Sequence, residues 1–182
     1  MRYYLVALFD NESYLSIEEL QKNLCKKYRL YKSSPALHIT LEIIGNPDID
    51  KLNKILTDIL KPYKKFRVQI NGAMCFNPPY KSITLNIENR GYIIRLARQI
   101  NETLKLYGFE VTDSIENLDL HINLANTNFA VREWSADEYS AACETAKKEE
   151  VFKMAKIDRI ELWKSTNNKK DMIVKSYLLR EF

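Results

Sequence analysis

The fold is decided by residues 36–45, ALHITLEIIG, in which apolar and polar side chains alternate. Successive side chains of a β-strand point to opposite faces, so this alternation predicts a half-buried strand over residues 37–44. The predicted core face consists of Leu37, Ile39, Leu41 and Ile43. The predicted polar face consists of Ala36, His38, Thr40 and Glu42. One face of this strand is therefore available for chemistry.

A second strand of the same kind is predicted over residues 118–124, LDLHINL. Its alternation directs the leucines and Ile122 inward, and it directs Asp119, His121 and Asn123 to the polar face. His38 and His121 are the only two histidines of the chain. Both therefore occupy the polar face of an apolar strand.

The remaining periodicity predicts strands and helices that are interleaved along the chain. Further strands are predicted at residues 3–9, 66–70, 83–87, 157–163 and 172–179, the last two forming a hairpin around Asn167-Asn168. Helices are predicted from a capping box at Ser16 and Glu19, from residue 48 to Pro62, over residues 91–106, and over residues 135–150. The hairpins imply antiparallel pairing, so we expect the α+β class in a single domain of residues 1–182.

The composition is that of an ordinary globular protein. Of 182 residues, 46% are hydrophobic and 29% charged, and the formal net charge of +4 fits an anionic partner without requiring one. Three widely spaced cysteines without a Cys-x-x-Cys pair suggest neither a disulfide framework nor a zinc site. The apolar residues 1–9 are too few for a signal sequence, so we expect none, and no apolar run reaches the roughly 20 residues that span a bilayer. We therefore expect a soluble, cytoplasmic protein with no membrane partner.

The two histidines are the strongest candidates for chemistry. Thr40 and Asn123 follow them on the same strand faces, about 6.6 Å further along each strand. Each pair could therefore contact one small anion. Imidazoles with an ordinary pKa of about 6.5 can serve as base and acid in phosphoryl chemistry. Spacing alone leaves open the alternative of two solvent-facing histidines that never meet.

The motif LHITL at residues 37–41, with Gly45 beyond it, resembles the first signature of the 2H phosphoesterase superfamily. LHINL at residues 120–124 resembles the second signature. The nearest match is the 2′-5′ RNA ligase (LigT-like) and cyclic phosphodiesterase family, and the similarity covers the whole chain. The resemblance implies a bilobed, duplicated fold in which two antiparallel sheets, with helices outside, form a central active-site groove.

The resemblance also implies a function. Members act on phosphodiesters such as 2′,3′-cyclic phosphates without a metal or other cofactor. One histidine deprotonates water, and the other protonates the leaving ribose oxygen. Carried over, His38 and His121 form the acid–base pair and Thr40 is a phosphate-binding donor, while it stays open which histidine is the base. The expected partner is RNA or a nucleotide, and the expected assembly is a monomer.

Two positions depart from the family pattern. Asn123 stands where Thr or Ser is common, and its amide can still donate to a phosphate oxygen. Asn126 stands where several relatives carry an arginine, and an amide anchors a phosphate less firmly than a bidentate guanidinium. We therefore expect a lower affinity or a different substrate. Lys81 and Arg132, in nearby loops, could supply charge or be ordinary surface residues.

Aromatic side chains could stack on a base of the substrate. Phe76 and Tyr80, which flank a Pro-Pro loop, are the preferred candidates. The other aromatic candidates, each of which could equally be packing, are Phe129, Trp134 and Tyr177.

Two acidic residues share the predicted histidine faces. Glu42 and Asp119 could orient the imidazoles or be solvated carboxylates. A zinc site built from these carboxylates and both histidines is a loose match to known ligand spacings.

Three functions stay open on the sequence. The first is an RNA or nucleotide cyclic phosphodiesterase. The second is a reversible 2′-5′ RNA ligase that uses the same site. The third is an RNA-binding member of the family that has lost catalysis through Asn123 and Asn126.

Overall fold

The computed structural model describes residues 1–77, 79–88, 90–112, 120–166 and 168–181. The strands are β1 Arg2–Phe9, β2 Ile39–Gly45, β3 Phe66–Phe76, β4 Ser82–Ile87, β5 Glu110–Val111, β6 His121–Asn126, β7 Phe152–Lys164 and β8 Ile173–Leu178. The helices are α1 Asn11–Tyr28, α2 Ile49–Leu60, α3 Tyr92–Leu106, α4 Ala136–Lys148 and the short α5 Lys169–Met172, with a 3-10 turn at Thr127–Phe129. Each predicted element has a counterpart, although residues 118 and 119 and Asn167 of the predicted turn lie outside the described residues.

The pairs of named strands are antiparallel, and they form one eight-stranded sheet in the order β1-β2-β6-β4-β3-β7-β8, with β5 paired to β2. The first part of β7 pairs with β3, and its second part pairs with β1 and β8. Because β1 also pairs with β2, the sheet returns on itself. The α+β class is confirmed, whereas the two predicted sheets are joined into one through β7 and a bridge between β2 and β6.

The helices cover the core face of the sheet in two groups. α1 and α4 pack mainly against β3, β6 and β7, while α2 and α3 pack against β2, β5 and β8. Alternate strand residues such as Leu5, Ile39, Ile70 and Ile122 are fully buried under them. Each such side chain contributes about 1.5–3 kcal/mol by its burial. In the described part of the chain, none of the helices combines the length and the apolar character needed to cross a membrane.

The start of α1 corrects one prediction. Ser16 does not cap this helix; Asp10, directly after β1, does, and its carboxylate accepts a hydrogen bond from the Ser13 amide at 2.9 Å. Ser16 lies inside the helix, where its hydroxyl accepts a hydrogen bond from Lys153 at 2.7 Å. Aspartate and serine are comparable N-caps. The one next to the strand is used because the chain passes directly from β1 into α1.

The cysteines correct a second prediction. Cys75 in β3 and Cys143 in α4 form a disulfide, with Cα atoms 6.2 Å apart. The two residues are 68 positions apart, and only the packing of α4 on β3 brings them together. Cys25 is a buried free thiol, and burial raises its pKa to about 11. With two of the three cysteines in a disulfide, the cysteines do not indicate a reducing compartment, and the cytoplasmic location stays a prediction.

Candidate active site

The two histidine motifs meet at the bridge between β2 and β6. Ile39 pairs with Ile122 in antiparallel orientation, and both isoleucines are fully buried. His38 and His121 each lie one residue away from this bridge, so both project from the opposite, non-core face. In this register they are diagonal neighbours, which lie about 7–8 Å apart in antiparallel strands. The fold thus brings together the two residues that the sequence singled out.

His38 is held on two sides. Its Nδ1 lies 2.8 Å from the Ala36 carbonyl oxygen, and its ring centroid lies 4.7 Å from that of Trp163 in an edge-on arrangement. A carbonyl oxygen only accepts hydrogen bonds, so Nδ1 carries the hydrogen and Nε2 of the neutral ring is left as the basic nitrogen. Burial lowers the pKa of His38 below its ordinary value of 6.5, the Ala36 carbonyl opposes this shift, and the charge of His121 adds to it. The environment therefore favours a neutral His38.

His121 stands in a different environment. It is the first residue of β6, it is exposed, and it pairs with Asn86 of β4. Its charge acts on His38, so the two imidazoles interact electrostatically. Asp119, the predicted carboxylate partner on this strand, lies outside the described residues. The pair thus consists of one half-buried and one exposed imidazole.

Thr40 and Asn123 stand across the bridge from the histidines. The register sets Thr40 opposite His121 and Asn123 opposite His38, and opposite residues share a face. Both are half-buried, and Asn123 Oδ1 is buried without a hydrogen-bond partner among the described residues. An amide offers either a donor or an acceptor when it is turned. The four polar side chains form an arrangement that suits a small anion.

Trp163 completes the surroundings of His38, and it was missed in the sequence. Its indole N–H donates to Glu161 Oε2 at 2.7 Å, and Arg159 Nε donates to Oε1 of the same carboxylate at 3.0 Å. Glu161 is only 5% exposed. These three residues alternate with apolar core residues along β7. The signal that singled out the histidines was therefore present here as well.

A family model described as the 2′-5′ RNA ligase superfamily matches residues 9–169. The chain belongs to this superfamily. TT0787 of Thermus thermophilus is similar in structure, with a TM-score of 0.66 and 19% identity over 100% of this chain and 99% of that one. E. coli LigT in apo form gives 0.65 and 12% over 99% and 98% of the two chains, and LigT complexed with 3′-AMP gives 0.63 and 12% over 98% and 97%. At such identities the likeness establishes the fold, and the resemblance seen in the sequence is confirmed.

The remaining candidates from the sequence are Asn126 and the two preferred aromatic residues, Phe76 and Tyr80. Asn126 closes this strand, and its side-chain oxygen accepts the Asn128 amide at 2.8 Å, which caps the 3-10 turn. Ser82 of β4 lies opposite both Asn126 and Phe76. Phe76 and Tyr80 are 36% and 47% exposed. The fold thus sets Phe76 on the Asn126 side of the site and leaves both rings accessible.

Other residues that the sequence suggested as candidates have structural roles. Lys81 donates to the Trp134 carbonyl at 2.8 Å, and Arg132 pairs with both carboxylate oxygens of a glutamate in α4. Trp134 and Tyr177 are only 2% and 7% exposed, so they cannot stack on a base from solvent. The side chain of Phe129 lies outside the described residues. For both cations and both buried rings, the structural interpretation is the correct one.

Glu42 does not share the histidine face, so this prediction is wrong. A β-bulge shifts the register between β1 and β2 at the point between Thr40 and Glu42. The alternation reverses there, which exposes Ile43 and buries the Glu42 side chain. The carboxylate accepts hydrogen bonds from Asn101 Nδ2 at 2.7 Å and from the Thr112 amide at 3.0 Å. Glu42 therefore links β2 to α3 inside the core and cannot orient a histidine.

Because Glu42 is buried in the core, it cannot serve as one of the four ligands of the zinc site that the sequence suggested. Asp119, another of the four, is not described. Within residues 1–77, 79–88, 90–112, 120–166 and 168–181, no three His, Cys, Asp or Glu side chains are grouped as metal ligands. The expectation of a site without a metal cofactor stays a prediction.

Proposed function

We propose that this superfamily member is a metal-independent phosphodiesterase that hydrolyses a 2′,3′-cyclic phosphate, or a related phosphodiester, of RNA or a nucleotide. The observation that carries the proposal is the β2–β6 bridge, which sets His38 and His121 on one face, close enough for the charge of one to act on the other. Two opposed imidazoles are the groups that in-line displacement at phosphorus needs. The substrate therefore lies over this bridge.

The different environments assign the two roles. His38, kept neutral by burial, accepts through Nε2 a proton from the water that attacks phosphorus. The bond between phosphorus and the leaving ribose oxygen breaks, and protonated His121 gives its proton to that oxygen. The products are a phosphomonoester and a ribose hydroxyl. Exchange of one proton with solvent at each histidine restores the starting state.

Neutral donors hold the phosphate. Thr40 donates its hydroxyl and Asn123 donates its amide to nonbridging oxygens, and Asn126 adds a weaker contact than an arginine would make. Phe76 and Tyr80 are the accessible rings for a base. E. coli LigT, which has the same fold, has been crystallised with 3′-AMP and with phosphate, which supports a nucleotide phosphate as ligand here.

Turnover of 2′,3′-cyclic mononucleotides in EDTA tests the proposal. We expect activity in the wild-type protein and a loss of about 10²- to 10⁴-fold in His38→Ala and in His121→Ala, because each removes a proton-transfer group. Leu106→Ala is the control, since this side chain is 87% exposed at the end of α3 and lies outside the site. Full activity in either histidine variant would rule the proposal out.

The pH dependence gives a second test. The rate rises with pH as His38 loses its proton and falls as the proton donor loses its own, so kcat/KM follows a bell. Because burial lowers the pKa of His38, the rising limb lies below pH 6.5. A rising limb centred above that value would contradict the assignment of His38 as the base.

The second candidate is a reversible 2′-5′ RNA ligase, which the description of the matching superfamily favours. It would use the same two histidines, with a ribose hydroxyl in place of water as the attacking group. Incubating paired RNA fragments that end in a 2′,3′-cyclic phosphate and a 5′-hydroxyl discriminates the two functions. Joined product without hydrolysis would favour the ligase.

A further inference from the structure

We propose that Trp163, fixed by the carboxylate of Glu161, is a positioning residue that sets the orientation of the His38 imidazole. This inference rests on the function proposed above. Neither residue belongs to the two histidine motifs, and both come from β7 at the other end of the chain.

The carboxylate is the fixed point of the arrangement. Glu161 is 5% exposed, and a buried carboxylate is costly unless both of its oxygens are hydrogen-bonded. One oxygen accepts from Arg159 Nε at 3.0 Å, and the other accepts from the Trp163 indole at 2.7 Å. Arg159 is held in turn by Asp158 at 3.0 Å. The indole plane is therefore fixed by a charge-assisted hydrogen bond, which is stronger than a neutral one.

The register explains how a residue of β7 reaches a residue beside β2. β1 lies between these strands, and Val6 pairs with Thr40 on one side and with Glu161 on the other. Trp163, Val6 and Leu8 form a small apolar cluster of their own, separate from the main core. This cluster lies on the histidine face of the sheet. It gives His38 an apolar wall that excludes water from one side of the ring.

The contact restricts the one rotation that matters for proton transfer. With Nδ1 at 2.8 Å from the Ala36 carbonyl and the ring edge-on to Trp163, the imidazole of His38 cannot turn without losing a hydrogen bond and an aromatic contact. Aromatic pairs of this kind prefer such edge-on arrangements, so the contact favours one ring orientation. Nε2 is thereby presented to the substrate in one tautomer and one orientation.

Three variants and one control variant test this role. Trp163→Ala should lower kcat by about 10- to 100-fold and leave KM nearly unchanged, because a misplaced base impairs the transition state more than binding. Trp163→Phe should retain much of kcat because a ring remains. Glu161→Gln keeps a hydrogen-bond acceptor but removes the charge, so it should give an intermediate loss. Trp134→Phe is the control: it removes a buried indole that lies outside the site, so it should leave kcat unchanged.

An NMR titration of the imidazole nitrogens separates this inference from the proposed function. In Trp163→Ala, the pKa of His38 should rise toward 6.5 and the Nδ1–H tautomer should become mixed, since water then reaches the ring. Trp134→Phe should leave both unchanged. If the titration of His38 and kcat are the same in Trp163→Ala as in the wild type, the inference is overturned. If the titration moves but the wild-type protein has no turnover, the contact stands and the proposed function fails.

Discussion

His38 and His121 each begin a motif of histidine, isoleucine and a small polar residue, but the two motifs lie in different surroundings. His38 is half-buried between the Ala36 carbonyl and Trp163, whereas His121 is exposed at the first position of β6. The motif alone gives no reason to assign the base to one and the acid to the other. In the proposed mechanism the environment makes that assignment, as it does in other sites where two like groups differ in burial. The difference therefore lies in what the rest of the fold places beside each motif.

The largest expected effect distinguishes the two histidines by the leaving group of the substrate. A p-nitrophenyl phosphodiester has a leaving group that departs without a proton, so it needs a base but no acid. His121→Ala should lose about 10³-fold on a 2′,3′-cyclic nucleotide but much less on the activated ester, whereas His38→Ala should lose comparably on both. Steady-state kinetics on the two substrates measure this.

If His38→Ala rather than His121→Ala lost much less activity on the activated ester, His38 would be the acid and His121 the base. Equal losses on both substrates in both variants would show that neither histidine acts as the acid. Leu106→Ala again serves as the control on both substrates, because its exposed side chain lies outside the site.

A second prediction concerns the stability of the part of the sheet that holds His121, in which β6, β4 and β3 are neighbours. The disulfide from Cys75 to Cys143 ties β3 to α4 and closes a long loop. Reduction should lower the free energy of unfolding by about 2–4 kcal/mol, because it releases the unfolded chain from that constraint. Urea unfolding with and without dithiothreitol measures the change. In Cys75→Ser the reductant should have no further effect, and equal midpoints for the oxidised and reduced wild-type protein would contradict the prediction.

The sequence predicted the part of the site that depends on local alternation. The segments around His38 and His121 have the period of strands, and both strands are present. Ser135 caps α4 as predicted because no competing cap precedes it. Which strands pair, and hence that the two histidines are neighbours, came from the family resemblance, since spacing alone left it open.

The rest of the site depends on long-range geometry that no local pattern encodes. The bulge after Thr40 reverses the alternation and sends Glu42 into the core, where Asn101 and Thr112 bind it. A register shift is fixed by the neighbouring strand, so the sequence of β2 by itself predicts the wrong face. The alternation along β7 places Trp163 on the polar face, but its contact with His38 depends on packing across β1 from a strand far along the chain, so its role was missed.

A third prediction concerns the proposed hydrogen bond from Thr40 to the phosphate. Thr40→Val removes a hydroxyl and keeps the shape of the side chain, so it tests a hydrogen bond to a charged oxygen. Such a bond contributes about 1.5–3 kcal/mol, and we expect kcat/KM to fall about 10- to 100-fold. Thr40→Ser, which restores the hydroxyl, should recover most of the activity. Unchanged kinetics in Thr40→Val would show that the Thr40 hydroxyl does not bind the phosphate.

The smallest expected effect belongs to Asn123→Thr, which gives both motifs the same third residue. Asn123 Oδ1 is buried and accepts no hydrogen bond among the described residues, an arrangement that costs about 1–3 kcal/mol. Threonine keeps one donor for the phosphate and removes the orphaned oxygen. Turnover should therefore stay within about threefold of the wild type, while the free energy of unfolding rises slightly. A gain of activity of about 100-fold would instead show that the natural asparagine has impaired catalysis, which would favour an RNA-binding role for this member of the superfamily.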